Sequence, residues 1–126
     1  MGLTYVRMDI ANPERPARRE QVEALVDTGA TYSMIPRQVL AKLGLKPSET
    51  AEFETADGRM IARDVCEATF YWKERYGTSK VIFGEDSDSP LLGVIVLESM
   101  ALQVDPVSKQ LRPAKLILYG TRPTGR

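Results

Sequence analysis

The tripeptide Asp27-Thr28-Gly29 carries the residue types that point most directly to catalysis in this sequence. It follows an apolar segment that ends at Val26, so it is expected where a strand meets a turn. Such a junction can present a carboxylate at the floor of a cleft, and Gly29 allows the backbone to approach closely and to direct a main-chain N–H at that carboxylate. Because Asp-x-Gly is also ordinary turn chemistry, the tripeptide alone is a weak indication.

The composition limits the chemistry that this carboxylate could serve. The 126 residues include no histidine, which excludes Ser-His-Asp and Cys-His nucleophiles, histidine-bound zinc and imidazole acid–base catalysis. The single cysteine, Cys66, can form neither an intramolecular disulfide nor a cysteine-rich zinc site. Any hydrolysis would therefore use carboxylates, and we expect no metal or other cofactor.

The charge pattern argues against several classes of partner. The 17 basic and 17 acidic residues cancel and are scattered, which leaves no electrostatic footprint for nucleic acid and no polybasic membrane patch. The longest uncharged apolar stretch, residues 90–97, is far shorter than the roughly 20 residues that cross a bilayer. The first residues lack the pattern of a signal peptide. We therefore expect a cytoplasmic protein that binds neither nucleic acid nor membranes.

Short β-rich segments separated by turns must position these residues, and they predict an all-β fold. Pro36 at the start and Gly44 just past the end of residues 36–43 predict a short helix, and Asp57-Gly58 predicts a two-residue hairpin turn within residues 52–61. The apolar segment 91–93 predicts a strand that runs into a second helix. Further strands are predicted over residues 3–10, 19–26, 65–76, 79–83, 101–105 and 111–119.

Three segments in a fixed order strengthen the first motif: VDTGATYSMIP at 26–36, ETADGRM at 54–60 and LLGVIVLESM at 91–100. With them the chain resembles the retropepsin-like aspartic proteases, the half-length relatives of pepsin, and in particular the single-domain members encoded in cellular genomes. The resemblance spans residues 3–119. It implies one closed, barrel-like acid-protease domain over residues 1–120, with one or two short helices, followed by a polar tail over 121–126.

The resemblance also assigns roles to three groups of residues. They are the catalytic Asp27 with the active-site loop residues Thr28, Gly29 and Ala30, the substrate-binding flap residues Ala56, Asp57, Gly58 and Arg59, and the loop-supporting residues Leu91, Leu92 and Gly93. In this family the flap is a hairpin that closes over bound peptide. Retroviral members carry glycines through its tip, whereas the tip of this chain is charged.

One carboxylate is too few for the chemistry of this family. Two carboxylates that share a proton let one act as base on a water while the other protonates the carbonyl oxygen, and the aspartic-protease dyad is the standard example. No other aspartate of the chain stands in a second Asp-Thr/Ser-Gly. A C2 homodimer solves this, because a residue near the two-fold axis meets its own copy. The resemblance thus implies a homodimeric aspartic endopeptidase that cleaves an extended peptide with Asp27 and the partner's Asp27.

Two departures from the retroviral pattern concern the dimer. Retroviral members have an Asp and an Arg where this chain has Thr31 and Val94, and the two charges form an ion pair that braces the dimer. Losing both charges can be nearly neutral, whereas losing one leaves an unpaired ion. We therefore expect a dimer braced differently, through terminal strands at residues 3–8 and 115–119.

Two other interpretations remain open from the sequence. The chain could be a catalytically inactive retropepsin-like module for dimerisation or peptide binding, since folding and dimerising need the Asp27 loop as much as catalysis does. It could also be a plain β-barrel domain in which Asp27 only caps a turn.

Overall fold

The chain forms nine β-strands and two short α-helices over the residues that the computed structural model describes, 3–116 and 118–120. In chain order the elements are β1 (Tyr5–Ala11), β2 (Arg19–Val26), β3 (Ser33–Pro36), α1 (Arg37–Lys42), β4 (Glu49–Glu54), β5 (Met60–Trp72), β6 (Arg75–Gly84), β7 (Leu91–Leu92), α2 (Val94–Ser99), β8 (Leu102–Val104) and β9 (Leu111–Pro113). The predicted polar tail, residues 121–126, lies outside the described residues, and the single domain over 1–120 stays a prediction.

Strands β1 to β7 form one sheet that closes on itself. Its order is β1-β2-β7-β3-β6-β5-β4, and β1 also pairs with β5, where Ile10 lies opposite Phe70. Closure is possible because β5 has 13 residues: its first part pairs with β4, and its later part pairs with both β6 and β1. The predicted closed, barrel-like all-β fold with two short helices is confirmed.

The inside of this closed sheet is filled by side chains that alternate inward along each strand. Val81 and Phe83 of β6 and Phe70 of β5 are fully buried there. The two helices cover the core with Leu40 and Val96, which are also fully buried. Burial of each such side chain contributes about 1.5–3 kcal/mol relative to leaving it in water.

The predicted strand over residues 65–76 is wrong in both of its ends. β5 begins at Met60 and ends at Trp72, and Tyr76 belongs to β6, which extends beyond the predicted residues 79–83 in both directions. The turn between the strands consists of Lys73 and Glu74, with Lys73 at a φ of 53°. This turn contains none of the Gly, Asn or Asp residues that mark a two-residue hairpin in a sequence.

The predicted two-residue turn at Asp57-Gly58 is also wrong. The β4–β5 hairpin closes at the pair Glu54 and Met60, which leaves a loop over residues 55–59. Gly58 has a φ of 86°, whereas Asp57 has no positive φ, and the Asp-Gly turn of a two-residue hairpin requires it at both residues.

The predicted helix over residues 36–43 is confirmed as α1, although Pro36 is its N-cap and the last residue of β3. The final strand pair is confirmed as β8 and β9, but β9 ends at Pro113 rather than at residue 119. Ala114 still donates its N–H to Ala101 O at 2.7 Å, and the described residues after it form no strand. Ile117, within the predicted strand, lies outside the described residues.

Neither of the two helices formed by the described residues is long and apolar enough to cross a membrane. The cytoplasmic location and the exclusion of nucleic-acid and membrane partners stay predictions.

Candidate active site

Asp27 follows directly after β2, at a point where backbone hydrogen bonds to two other segments hold the chain. Val26 donates its N–H to Thr4 O at 2.8 Å, and Asp27 donates its own N–H to Leu92 O at 2.9 Å. The Asp27 side chain is exposed, and its Oδ1 accepts the Gly29 N–H at 2.9 Å. The sequence predicted both the junction of strand and turn and the main-chain N–H directed at the carboxylate.

The segment after β7 lies against the Asp27 loop. Val94 donates its N–H to Ala30 O at 2.8 Å, and Ile95 donates to Thr31 O at 3.2 Å. A Cβ on Gly93 would lie 2.7 Å from Thr31 O and from the backbone of Tyr32, so only glycine fits between the two segments. Leu92 and Gly93 thus lie against the Asp27 loop, and the supporting role of residues 91–93 stays a prediction.

Ser33 completes this support, and the sequence analysis missed it. Its buried Oγ accepts the Gly93 N–H at 2.9 Å across 60 residues of chain. A buried main-chain N–H without a partner would be costly, so the serine hydroxyl replaces a missing backbone acceptor. The only signal in the sequence was a lone serine before the apolar residues Met34 and Ile35.

A cavity of about 500 Å³ opens beside the Asp27 loop. It is lined by the loop and the barrel through Gly29, Ala30, Thr31, Tyr32, Met34, Ile82 and Leu91, and by the β4–β5 hairpin through Phe53, Glu54, Ile61 and Arg63. The rings of Tyr32 and Phe53 meet edge to face with centroids 6.1 Å apart, which joins the loop to the hairpin. A mostly apolar cavity of this size can enclose a substrate side chain.

The predicted flap residues form the exposed tip of this hairpin rather than a wall of the cavity. Thr55 and Arg59 close the tip through a backbone hydrogen bond of 2.7 Å. Asp57 accepts the Thr55 hydroxyl and pairs with Arg59 at 3.0 Å, and the Thr55 hydrogen bond holds the pKa of Asp57 below its usual value. Among the described residues, the hairpin reaches the cavity through its stem and not through Ala56, Asp57, Gly58 or Arg59.

Ion pairs fasten the outer face of the hairpin stem to the rest of the protein. Arg37 Nη2, at the start of α1, lies 2.7 Å from Asp64 Oδ2 on β5 and 2.8 Å from Glu85 Oε2 in the loop after β6. Thr50 on β4 also donates to Asp64, at 2.9 Å. The Arg37 hydrogen bonds lower the pKa of both carboxyls.

Arg63 makes the corresponding contact on the inner face of the stem. Its Nε lies 3.1 Å from Asp88 Oδ2, in the loop that leads to β7. Partial burial opposes the ionisation of Asp88, but hydrogen bonds from Arg63 and from the Glu85 N–H outweigh it and lower the pKa of Asp88. Charged side chains therefore attach both faces of the hairpin stem to one loop, residues 85–88.

The model of a protein family described as "Aspartyl protease" matches residues 10–94 of the chain, which include the Asp27 loop and the hairpin. The chain belongs to the aspartyl protease family. The matched residues contain every element that lines the cavity.

Solved structures give the same fold for this aspartyl protease. Simian foamy virus (mac) protease is 22% identical, with a TM-score of 0.53, over 75% of this chain and 92% of the viral one. EIAV protease, solved in complex with the inhibitor HBY-793, is 17% identical, with a TM-score of 0.62, over 93% of this chain and 94% of the viral one. These likenesses establish a retroviral protease-like fold. A comparison with curated protein sequences finds no match.

The other groups that could do chemistry lie outside the cavity of this aspartyl protease. Over residues 3–116 and 118–120, no group of three or more Cys, Asp or Glu side chains is arranged to hold a metal ion. Cys66 is 3% exposed, and burial raises the pKa of its thiol to about 11. A thiol of that kind is a poor nucleophile.

Proposed function

We propose that this chain is a homodimeric aspartic endopeptidase that hydrolyses peptide bonds in an extended substrate. The observation that carries the proposal is the exposed Asp27 carboxylate on a backbone-anchored loop beside a mostly apolar cavity. Thr28, Gly29 and Ala30 shape that loop, and Leu91, Leu92 and Gly93 support it. Membership in the aspartyl protease family is consistent with the same chemistry.

The proposed reaction uses Asp27 and the partner's Asp27 with one proton between them. The ionised carboxylate takes a proton from a water, and the water oxygen attacks the carbonyl carbon of the peptide. The protonated carboxyl gives its proton to the carbonyl oxygen, which forms a tetrahedral diol. A proton then moves to the peptide nitrogen, and the C–N bond breaks without a covalent enzyme intermediate.

Exposed apolar side chains near Asp27 support the second copy. Leu3 and Tyr5 are exposed, and they flank Thr4, whose carbonyl accepts the Val26 N–H next to Asp27. Thr28 and the exposed Leu116 line one groove of about 570 Å³ beside α2. Exposed apolar side chains are typical of an interaction site, and a two-fold axis here would bring the two Asp27 loops together.

The β4–β5 hairpin is the proposed flap, with Ala56, Asp57, Gly58 and Arg59 at its tip. Its stem already forms one wall of the cavity. A lid over the cleft would exclude water and could pair its main chain with an extended peptide.

Two measurements test the proposal: the mass of the protein in solution, and cleavage of a diverse peptide library at acidic and neutral pH. We expect a dimer, and we expect Asp27→Asn to lower kcat/KM by about a thousandfold, because a positioned acid or base contributes about 10²–10⁴ in rate. Asp86→Asn, at an exposed aspartate in the loop after β6, is the matched control and should leave cleavage unchanged.

Two outcomes contradict the proposal. A monomer at working concentration would exclude a dyad shared between protomers. A dimer whose cleavage does not depend on Asp27, or that cleaves nothing, would favour the inactive dimerisation or peptide-binding module instead.

A further inference from the structure

Arg63 is the charged side chain on the inner face of the hairpin stem. Ile61 and Arg63 are two residues apart on β5, and their partners on β4 are Phe53 and Ala51, so all four side chains share one face. Phe53, Ile61 and Arg63 line the cavity beside the Asp27 loop. Glu54 also borders the cavity, but it follows Phe53 directly and its side chain belongs to the outer face.

Asp88 holds the Arg63 guanidinium in one orientation. Nε donates to Asp88 Oδ2 at 3.1 Å, Nη2 donates to Oδ1 at 3.4 Å, and Nη1 donates to Ala62 O at 3.0 Å. The two side chains are only 19% and 16% exposed. Three of the five guanidinium N–H groups are thus used within the described residues, and two have no hydrogen-bond partner there.

Several other residues that line the cavity have apolar side chains. Ala30, Met34, Ile82 and Leu91 contribute the floor. A side chain that enters would bury methylene groups against these residues before its end reaches the hairpin stem. A hydrogen-bond acceptor at that end could accept the remaining Arg63 N–H groups, whereas an ammonium or guanidinium group offers no acceptor and would add a second positive charge beside the Arg63–Asp88 pair.

We propose that Arg63 is a specificity-determining residue, and that this cavity selects a substrate side chain with an apolar stem and an acceptor end, glutamate or glutamine, over lysine or arginine. The inference rests on the proposed peptidase function and names its substrate class. In a dimer, each protomer contributes one such cavity beside its Asp27.

The test compares peptides that differ at one position. Each position of the best-cleaved library peptide is replaced in turn by Glu, Gln, Met and Lys, and kcat/KM is measured for every peptide. We expect one position at which Glu or Gln exceeds Lys by about tenfold or more, the size of a charge-assisted hydrogen bond. Met, of similar length and without a charge, should fall between them.

Variants assign this preference to the guanidinium. Arg63→Gln combined with Asp88→Asn removes both charges together, so that neither is left unpaired, and the Glu-to-Lys ratio should fall to about one. Arg63→Lys keeps the positive charge and should keep the discrimination against lysine. Arg19→Gln is the control, because Arg19 begins β2 at the end remote from Asp27. Thermal melts establish that each variant is folded.

Binding separates failure of this inference from failure of the proposed function. The same peptides, labelled with a fluorophore, are titrated with the Asp27→Asn protein with and without the Arg63 and Asp88 changes. If nothing is cleaved but binding follows the Glu-over-Lys order and loses it in the double variant, the peptidase proposal is wrong and the selectivity stands. Cleavage or binding with the same Glu-to-Lys ratio in both backgrounds overturns the selectivity, and so does an absence of all peptide binding.

Discussion

The Asp27 loop and the β4–β5 hairpin each form a wall of one cavity, yet different interactions hold them. The loop is anchored by backbone hydrogen bonds with Leu92, Val94 and Ile95 and by the close approach of Gly93. The hairpin stem is attached to the loop over residues 85–88 by the guanidinium groups of Arg37 and Arg63. One wall is therefore defined by main chain and steric fit, and the other by ion pairs between side chains.

Because of this difference, we expect the Asp27 loop to be rigid and the hairpin stem to adjust its position. The Asp27 N–H is bonded to the carbonyl of Leu92, a buried residue, so the backbone that carries the carboxylate stays in place. Partly exposed ion pairs contribute little net stability, because water competes for both charges. A hairpin stem held in this way can move at a smaller cost than the Asp27 loop, as the proposed flap requires.

The largest expected effect tests the close fit of Gly93 against the backbone that follows the Asp27 loop. Gly93→Ala should lower the free energy of unfolding by about 3 kcal/mol, because its Cβ would meet the backbone of Thr31 and Tyr32 and neither can move freely. Urea denaturation measures the loss. Gly58→Ala, at the open hairpin tip, is the control and should cost only about 1 kcal/mol for its positive φ. Equal losses would remove the distinction between the two walls.

A smaller effect is expected when a hydroxyl is removed from each region. Ser33→Ala leaves the buried Gly93 N–H without an acceptor and should cost about 2 kcal/mol. Ser48→Ala, just before β4, should cost less than about 0.5 kcal/mol, because the Ser48 N–H still donates to the same Val65 carbonyl. Urea denaturation measures both losses. A larger loss of unfolding free energy for Ser48→Ala than for Ser33→Ala would contradict the comparison.

The acid stability of the hairpin stem is expected to change more subtly. Arg37 lowers the pKa of Asp64 and Glu85 below their ordinary values of 3.8 and 4.5. Their contribution to stability is therefore complete above those values and is lost as the pH falls through the lowered pKa of each. Arg37→Met should lower Tm at neutral pH, and the difference from wild type should vanish well below pH 3.8.

Thermal melts across this pH range measure the effect of Arg37→Met. Lys42→Met is the control, because the Lys42 amine lies 3.6 Å from Glu20 on an exposed surface away from the stem. A Tm difference for Arg37→Met that stayed constant down to strong acid would show that the guanidinium acts by packing and not by its charge.

The smallest expected effect concerns Cys66, which lies on β5 where the hairpin stem joins the barrel. Cys66 lies on β5 just after the last β4 pair, at Val65. The Cys66 side chain is buried, and the pKa of its thiol is raised to about 11. Iodoacetamide should therefore label Cys66 only as the protein unfolds. In the variant with both Arg63→Gln and Asp88→Asn, Cys66 should be labelled as slowly as in the wild type. Faster labelling would mean that loosening the stem also opens the barrel, and labelling in denaturant provides the reference rate.

Local patterns made much of this predictable. The apolar segment before Asp27, the short helix after Pro36 and the strand that enters α2 are each specified by neighbours within a few residues. The turn at Lys73 was missed because its positive φ is imposed by pairing of β5 with β6 rather than by its own residue type. Ser33 was missed because the N–H that it accepts lies 60 residues away.

By itself, the sequence determined the all-β class and the position of Asp27 after a strand, which depend on local periodicity and turn chemistry. The closed barrel was implied by the resemblance to the retropepsin-like proteases, and a second carboxylate from a partner chain stays a prediction. Only the tertiary structure decided which charges meet around the cavity, since Arg37, Arg63, Asp64, Glu85 and Asp88 pair across 25 to 48 residues. Such pairs exist only after β5 and β3 have both paired with β6, because Val65 then lies opposite Ile82 and Pro36 lies opposite Gly84, next to the loop over residues 85–88.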